Sequence, residues 1–282
     1  MLIGNDISVF QGQIDFGVYK KNTNFLFAKA TEGTGLIDGW YGYNRTQARL
    51  AGIPFGSYHF ARPDLGNSPQ DEAAYFCKVI DGDPIQEGEL LALDFEVTYQ
   101  DGINWCKAFL DAVSNHFGFK PLIYLNQSQT KLDWSSVVNV GYGLWLASYQ
   151  ADGVGDTGKW PFMALQQTSS SQQVPGIAGN VDRDVFFGDV NAFKNYGYKK
   201  PVPVPSLTTT STGSTTPPVS SSTSNPTPTQ PTSTTPPAPP VVPQASLLTQ
   251  IHSIVWGNWT GWPLSKTFWR NNLLNLQKLV KK

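Results

Sequence analysis

The chain has 282 residues, 40% of them hydrophobic and 15% charged, which is enough for one sizeable folded domain and a smaller part. Its net charge of −1 carries no global signal for nucleic acid, and its two cysteines, Cys77 and Cys106, make neither a disulfide framework nor a metal site. No uncharged apolar run approaches the roughly 20 residues of a membrane span, and the opening Met-Leu-Ile-Gly-Asn-Asp shows no basic segment followed by an apolar one, so no secretory signal is expected.

In chain order, residues 1–199 read as alternating strands and helices. Apolar runs bounded by turn residues predict strands at Leu2–Ile7, Phe25–Lys29, Pro54–Phe60, Leu90–Phe95, Leu122–Leu125, Gly143–Ser148, Phe162–Gln167 and Val181–Val185. Helices are predicted between them, as at Tyr41–Ala51, Pro69–Ile80 and Asn104–Phe117. Such alternation argues for a parallel sheet wrapped by helices. Eight strands in this length suggest an irregular TIM-like (β/α) barrel, with helices missing between the later strands and the functional face at the C-terminal strand ends. The polar residues fall at that face: Asp6 ends the first strand, Glu32 follows the second, and His59 ends the third. Tyr124 is late in the fifth, Tyr149 follows the sixth, Gln166 is late in the seventh and Asp182 begins the last.

The fourth strand is the most informative. Leu91 to Val97 is apolar except for Asp94 and Glu96. Alternation in a strand points both side chains the same way, with Cα atoms about 6.6 Å apart. Two carboxyls on one face of an apolar strand repel each other and resist burial, which raises the pKa of at least one. A protonated carboxylic acid beside an ionised one is the apparatus of glycosidic bond cleavage. The same pair could also cap a strand end, bound to Arg or backbone, and that alternative stands open at the level of the motif.

Beyond the barrel, Pro201 to Gln244 has no charged residue and holds 13 of the 21 prolines, so residues 200–245 are predicted to form a disordered, extended linker. Residues 246–282 carry five Lys and Arg, no acid, and four of the nine tryptophans. Apolar residues recur there at helical spacing on either side of Gly257 to Pro263, predicting a small helix–turn–helix module.

Taken together, the motifs resemble glycoside hydrolase family 25, the Chalaropsis-type lysozymes. Asn5-Asp6-Ile7-Ser8 with Gln11-Gly12, Ile14 and Asp15 is similar to that family's opening motif, and Lys29 to Gly33 to its Lys-Ala-Thr-Glu-Gly element. Gly56, Tyr58, His59 and Phe60 match its third strand, and Asp94-Phe95-Glu96 its catalytic pair. Ile123-Tyr124, Trp145 with Ala147 and Tyr149, Gln166 and Asp182 match its later strands. The chain departs from the family at Phe10, Leu165 and Gln167, where aromatic residues, usually tryptophan at the first two, are the rule. The resemblance implies an irregular eight-stranded barrel that hydrolyses the β-1,4 bond between N-acetylmuramic acid and N-acetylglucosamine in peptidoglycan, with no metal and no cofactor. It makes Glu96 the general acid and Asp94 the charge that holds its proton and polarises the substrate's acetamide. It sets Asp6 and Asp182 on the opposite side, and gives Glu32, His59, Tyr58, Tyr124, Trp145, Tyr149 and Gln166 to substrate binding.

A hydrolase domain, a tether and a small basic aromatic module, with no leader expected, further resemble a phage endolysin. Such a protein would accumulate in the host cytoplasm and need a holin to reach the wall. For residues 246–282 three roles compete: binding wall polymers, binding an anionic membrane surface, and self-association. Rival readings of the whole chain are a chitin-type N-acetylhexosamine hydrolase and a non-catalytic glycan-binding or virion structural protein on a glycosidase fold. Four acids at one rim argue against the last, because a binding protein has no need of them.

Overall fold

The computed structural model describes residues 1–150 and 154–200. The predicted linker and the module at 246–282 lie outside the described residues. Among the described residues there are nine strands: β1 (Leu2–Ile7), β2 (Phe25–Glu32), β3 (Leu36–Ile37), β4 (Phe55–Phe60), β5 (Leu90–Asp94), β6 (Leu122–Asn126), β7 (Leu144–Ala147), β8 (Leu165–Gln172) and β9 (Val181–Phe186). Eight of them close into a barrel in the order β1, β2, β4, β5, β6, β7, β8, β9 and back to β1. The two-residue β3 hangs antiparallel on the end of β2.

The barrel is mixed rather than wholly parallel. Neighbours from β1 round to β8 are parallel, but β9 runs antiparallel to both β8 and β1. A parallel pair needs a long crossover. Gln172 and Val181 are instead joined by a short loop that doubles back through Gly176 (φ 98°) and Gly179 (φ 84°), a backbone region open to glycine. The helices are α1 (Phe16–Tyr19), α2 (Tyr41–Ala51), α3 (Pro69–Asp81), α4 (Gly102–Phe117), α5 (Ser135–Val138) and α6 (Val190–Tyr196). The long ones, α2 to α4, fall in the first half, where βα alternation in the sequence is clear. Among the described residues no helix is long and apolar enough to cross a membrane.

Strand alternation sorts the apolar residues into two layers. Phe25, Phe27, Leu90, Leu122, Trp145 and Leu165 fill the barrel. Phe193 of α6 plugs its lower end, with ring centroids 5.1 Å from Phe25 and 5.2 Å from Phe186. Gly56 makes room for Phe27, since a Cβ there would lie 2.2 Å from that ring. The alternate residues, among them Leu26, Ala28, Leu91 and Leu93, pack outward against Phe76 of α3, Phe109 of α4 and Trp134. Both cysteines are buried free thiols in that outer layer. Arg45 and Arg49 of α2 bind Glu89 at 2.9 and 2.6 Å, fixing α2 to the entry of β5.

Because Phe193 is fully buried and sits far from the C-terminal strand ends, Phe193→Ala is expected to lower the unfolding free energy by about 3–5 kcal/mol in denaturant titration, through lost burial and the cavity left behind.

Candidate active site

At the upper end of the barrel the inward positions turn from apolar to polar. β1 places Asp6 above Gly4, and β5 places Asp94 above Leu90 and Ala92. Glu96 follows just past the end of β5, where the Phe95 amide still donates to the Tyr124 carbonyl. β9, running downward, puts Asp182 at the mouth and Asp184 one step deeper. Asp6, Asp94, Glu96 and Asp182, predicted as one site, are therefore brought together.

These carboxyls act on one another. Burial raises Asp94 well above the usual range, and the charge of Glu96 adds to it. Glu96 is raised to about 7 by burial and by the charge of Asp6, with Lys29 and the Tyr124 hydroxyl pulling the other way. Asp182 rises to about 9 through burial, Asp6 and Glu96. Asp6 is raised by burial, but hydrogen bonds from Gln167 and Asp184 oppose the rise. The charge that helps hold the Glu96 proton is thus that of Asp6 rather than of Asp94, which is itself driven towards the neutral form. Asp94 Oδ1 is buried with no hydrogen-bond donor.

The polar wall is a chain of hydrogen bonds. The Tyr149 hydroxyl donates to Gln167 Oε1 at 2.6 Å, the Tyr124 hydroxyl lies 3.0 Å from the same oxygen and divides its one hydrogen between it and Glu96, and Gln167 Nε2 donates to Asp6 Oδ2 at 2.8 Å. Trp145 Nε1 donates to Asp184 Oδ1 at 2.9 Å. Tyr149 is 52% exposed, while Tyr58 and Tyr124 show only their edges at 7% each. Glu32 reaches the rim already bound by Lys29 and by Arg62 at 2.8 Å; burial would raise its pKa, but the two cations hold it below the usual value.

Two predicted binding residues, His59 and Gln166, point away from the mouth, and a third, Trp145, lies beneath it. His59 follows the inward Tyr58, so it points out of the barrel. It is fully buried between Thr31 Oγ1 at 2.7 Å and Glu72 Oε2 at 2.8 Å, and its ring stacks on Phe109. Burial lowers its pKa, so the neutral ring accepts from Thr31 and donates to Glu72, bracing the loop that carries Arg62. Gln166 faces away from the mouth for the same reason, donating to the Ser148 carbonyl at 2.8 Å, and Gln167 takes the inward place. Slipping a strand by one residue exchanges its faces, and the predicted strand at Phe162–Gln167 starts three residues before β8. Trp145 faces inward but is 2% exposed, so it floors the site and holds Asp184 instead of offering a face to a ring.

Three site residues were given no site role from sequence: Lys29, named only within its motif, Gln167, named only as a departure from the family, and Asp184. Each had a signal in parity. Lys29 shares the inward face of Phe25 and Phe27, Gln167 that of Leu165, and Asp184 that of Asp182. Among the described residues no group of three His, Cys, Asp or Glu side chains is placed to hold a metal ion.

The model of glycosyl hydrolases family 25 matches residues 5–177. The autolytic lysozyme of Clostridium acetobutylicum is 31% identical over 188 residues, spanning 65% of this chain and 55% of that protein. The N,O-diacetylmuramidase of Chalaropsis sp. is 30% identical over 205 residues, spanning 64% of this chain and 95% of that protein. Among solved structures, the CTP1L endolysin aligns with a TM-score of 0.60 at 29% identity, over 69% of this chain and 70% of that one.

The raised carboxyls set a pH dependence of stability. A group whose pKa is higher folded than unfolded stabilises fully below its unfolded value and loses that contribution as pH rises through its folded value. For Asp182 the window runs from 3.8 to about 9. Asp182→Asn is therefore expected to melt above the parent at pH 8, with the advantage shrinking towards pH 4 in scanning calorimetry. A variant less stable than the parent at both pH values would overturn the assignment of Asp182 as a carboxyl held neutral at a cost.

Proposed function

The chain belongs to the glycosyl hydrolases of family 25, and from that premise we propose how its site works and where it acts. It is a glycosidase of the lysozyme type, with bacterial peptidoglycan as its substrate. The bond cleaved is the β-1,4 linkage between N-acetylmuramic acid and N-acetylglucosamine. The observation that carries this reading is Glu96, a carboxylic acid raised to about 7 beside the mouth by burial and the charge of Asp6. Such a group is protonated in mildly acid solution and close enough to neutrality to give its proton up, as general acid catalysis requires.

Glu96 protonates the leaving glycosidic oxygen. Asp94 Oδ1, buried and lacking a donor, accepts from the substrate's acetamide N–H and orients it. Asp6 lies opposite and stabilises the oxocarbenium-like charge that develops as the bond opens, and Asp182 holds water or sugar at the rim. Tyr149, half exposed and anchored through its hydroxyl on Gln167, provides the face on which a sugar ring rests.

In its biological setting the protein acts as a phage endolysin. It stays in the host cytoplasm until a holin opens the membrane, and residues 246–282 then bind polymers of the wall at the end of the tether. Supporting this are the charge-free Pro, Thr and Ser segment joined to a basic, tryptophan-rich tail, and the likeness of the catalytic domain to a solved endolysin.

Glu96→Gln is expected to lower turnover of purified peptidoglycan by a factor of about 10²–10⁴, with a melting temperature at neutral pH no lower than the parent's, since its raised carboxyl costs stability there. Mass spectrometry of fragments released by the parent should show new reducing ends on N-acetylmuramic acid. Reducing ends on N-acetylglucosamine would change the bond assigned, release from chitin alone would change the substrate, and undiminished lysis by the variant would remove Glu96 as proton donor.

A further inference from the structure

Gln167 is buried on β8, paired with Ala147 of β7 on one side and Asp184 of β9 on the other. The Ser148 amide donates to its carbonyl at 3.0 Å, and the register with β9 shifts just beyond it, between Gln167 and Ser169. Its backbone is thus held at the point where the ladder turns irregular. The mechanism above uses Gln167 only to anchor one phenol. Its side chain, however, spans two unlike groups: Tyr149, half exposed at the rim, and Asp6, buried in the mouth.

An amide has a donor end and an acceptor end, and here they are not interchangeable. An ionised Asp6 only accepts, so the nitrogen faces it, with Nε2 2.8 Å from Oδ2. The Tyr149 phenol is kept neutral by burial, so it has a hydrogen to give, and it donates to Oε1 at 2.6 Å. Turning the amide over would lose that donation and set Oε1 against a carboxylate. The Tyr124 hydroxyl, 3.0 Å from the same oxygen, divides its hydrogen with Glu96, which leaves Tyr149 as the steadier donor. Hydrogen bonds in series also polarise one another, so a donor on Oε1 strengthens the N–H that Asp6 receives.

We propose that Gln167 is a positioning residue that relays the seating of Tyr149 to Asp6: a sugar ring settling on Tyr149 fixes the phenol, the phenol fixes the amide, and the amide holds the Asp6 carboxylate in place for the bond-breaking step. No bond is made or broken in the relay and no proton changes owner. The inference rests on the roles given above to Tyr149 and Asp6. Its consequence is that Tyr149 has two separable functions. The ring face governs binding, and the hydroxyl governs turnover.

Kinetics of the full chain on soluble peptidoglycan fragments test this. Tyr149→Phe keeps the ring, so KM should hold while kcat falls about two- to tenfold; Tyr149→Ala should raise KM as well. Gln167→Met keeps the length and volume of the side chain but neither polar end, and kcat should fall about 10- to 100-fold. With Gln167→Met already in place, adding Tyr149→Phe should change kcat by less than about twofold, because the relay is already cut. The side-chain amide signal of Gln167 in a ¹H–¹⁵N spectrum, identified by its loss in Gln167→Met, should shift in Tyr149→Phe. That signal is read without turnover, so a shift supports the relay even where Asp6→Asn keeps parental activity, a result that would instead remove Asp6 from the mechanism above. An amide signal unmoved in Tyr149→Phe overturns the proposal. Additive losses of kcat from the two substitutions, with Asp6→Asn inactive, do the same, whatever the melting temperatures.

Discussion

Five carboxyls, Asp6, Asp94, Glu96, Asp182 and Asp184, share the mouth of one barrel, with Lys29 as the cation that acts on several of them. They cannot all ionise there, because burial removes the water that would screen them and each charge raises the cost of the next. The rest of the site answers that constraint. Gln167 supplies a hydrogen bond to Asp6, where a charge is to be kept, and burial withholds water where a proton is to be kept. Protons are distributed over the cluster rather than owned by isolated groups, so the working state of Glu96 depends on side chains across the barrel from it.

That dependence needs a rigid wall. The aromatic filling of the lower barrel packs Phe25 and Phe186 on Phe193 and Phe27 on Trp145, with ring centroids 5.1, 5.2 and 4.7 Å apart, and close packing of this kind resists movement of the acids above it. Outside the wall, the buried Thr31–His59–Glu72 chain ties β2 and β4 to α3, and Glu72 also accepts from the Arg62 amide. Arg62 in turn grips Glu32 at the rim. A residue that never meets substrate thus fixes one that lies at its edge.

Holding neutral acids in the mouth works against folding, since the unfolded chain would ionise them freely above pH 4.5 or so. The apolar layers on both faces of the sheet must therefore supply the stability that the site removes, a common arrangement where function places unfavourable groups together. The irregular second half of the barrel fits the same division. With β9 antiparallel, its residues enter the mouth from the top, which is how one strand delivers both Asp182 at the rim and Asp184 below it.

The sequence by itself determined the elements and the chemistry. Apolar runs and turn residues located the strands within a few residues, and Asp94 and Glu96 in an apolar strand, with Asp6 at the end of one strand and Asp182 at the start of another, marked a candidate site, because carboxyls are costly in such runs. What only the tertiary structure decided was facing and partnership. Tyr58 and His59, or Gln166 and Gln167, are adjacent and equally polar, and a single step of register sends one into the mouth and the other to the helices. The antiparallel β9 was likewise invisible, since strand direction depends on how a short loop closes rather than on the strand's own composition. Nor could local pattern show that Asp184 lies beside Gly4 on one side and Gln167 on the other, because these residues are far apart in sequence and pair only once β9 has been laid between β8 and β1.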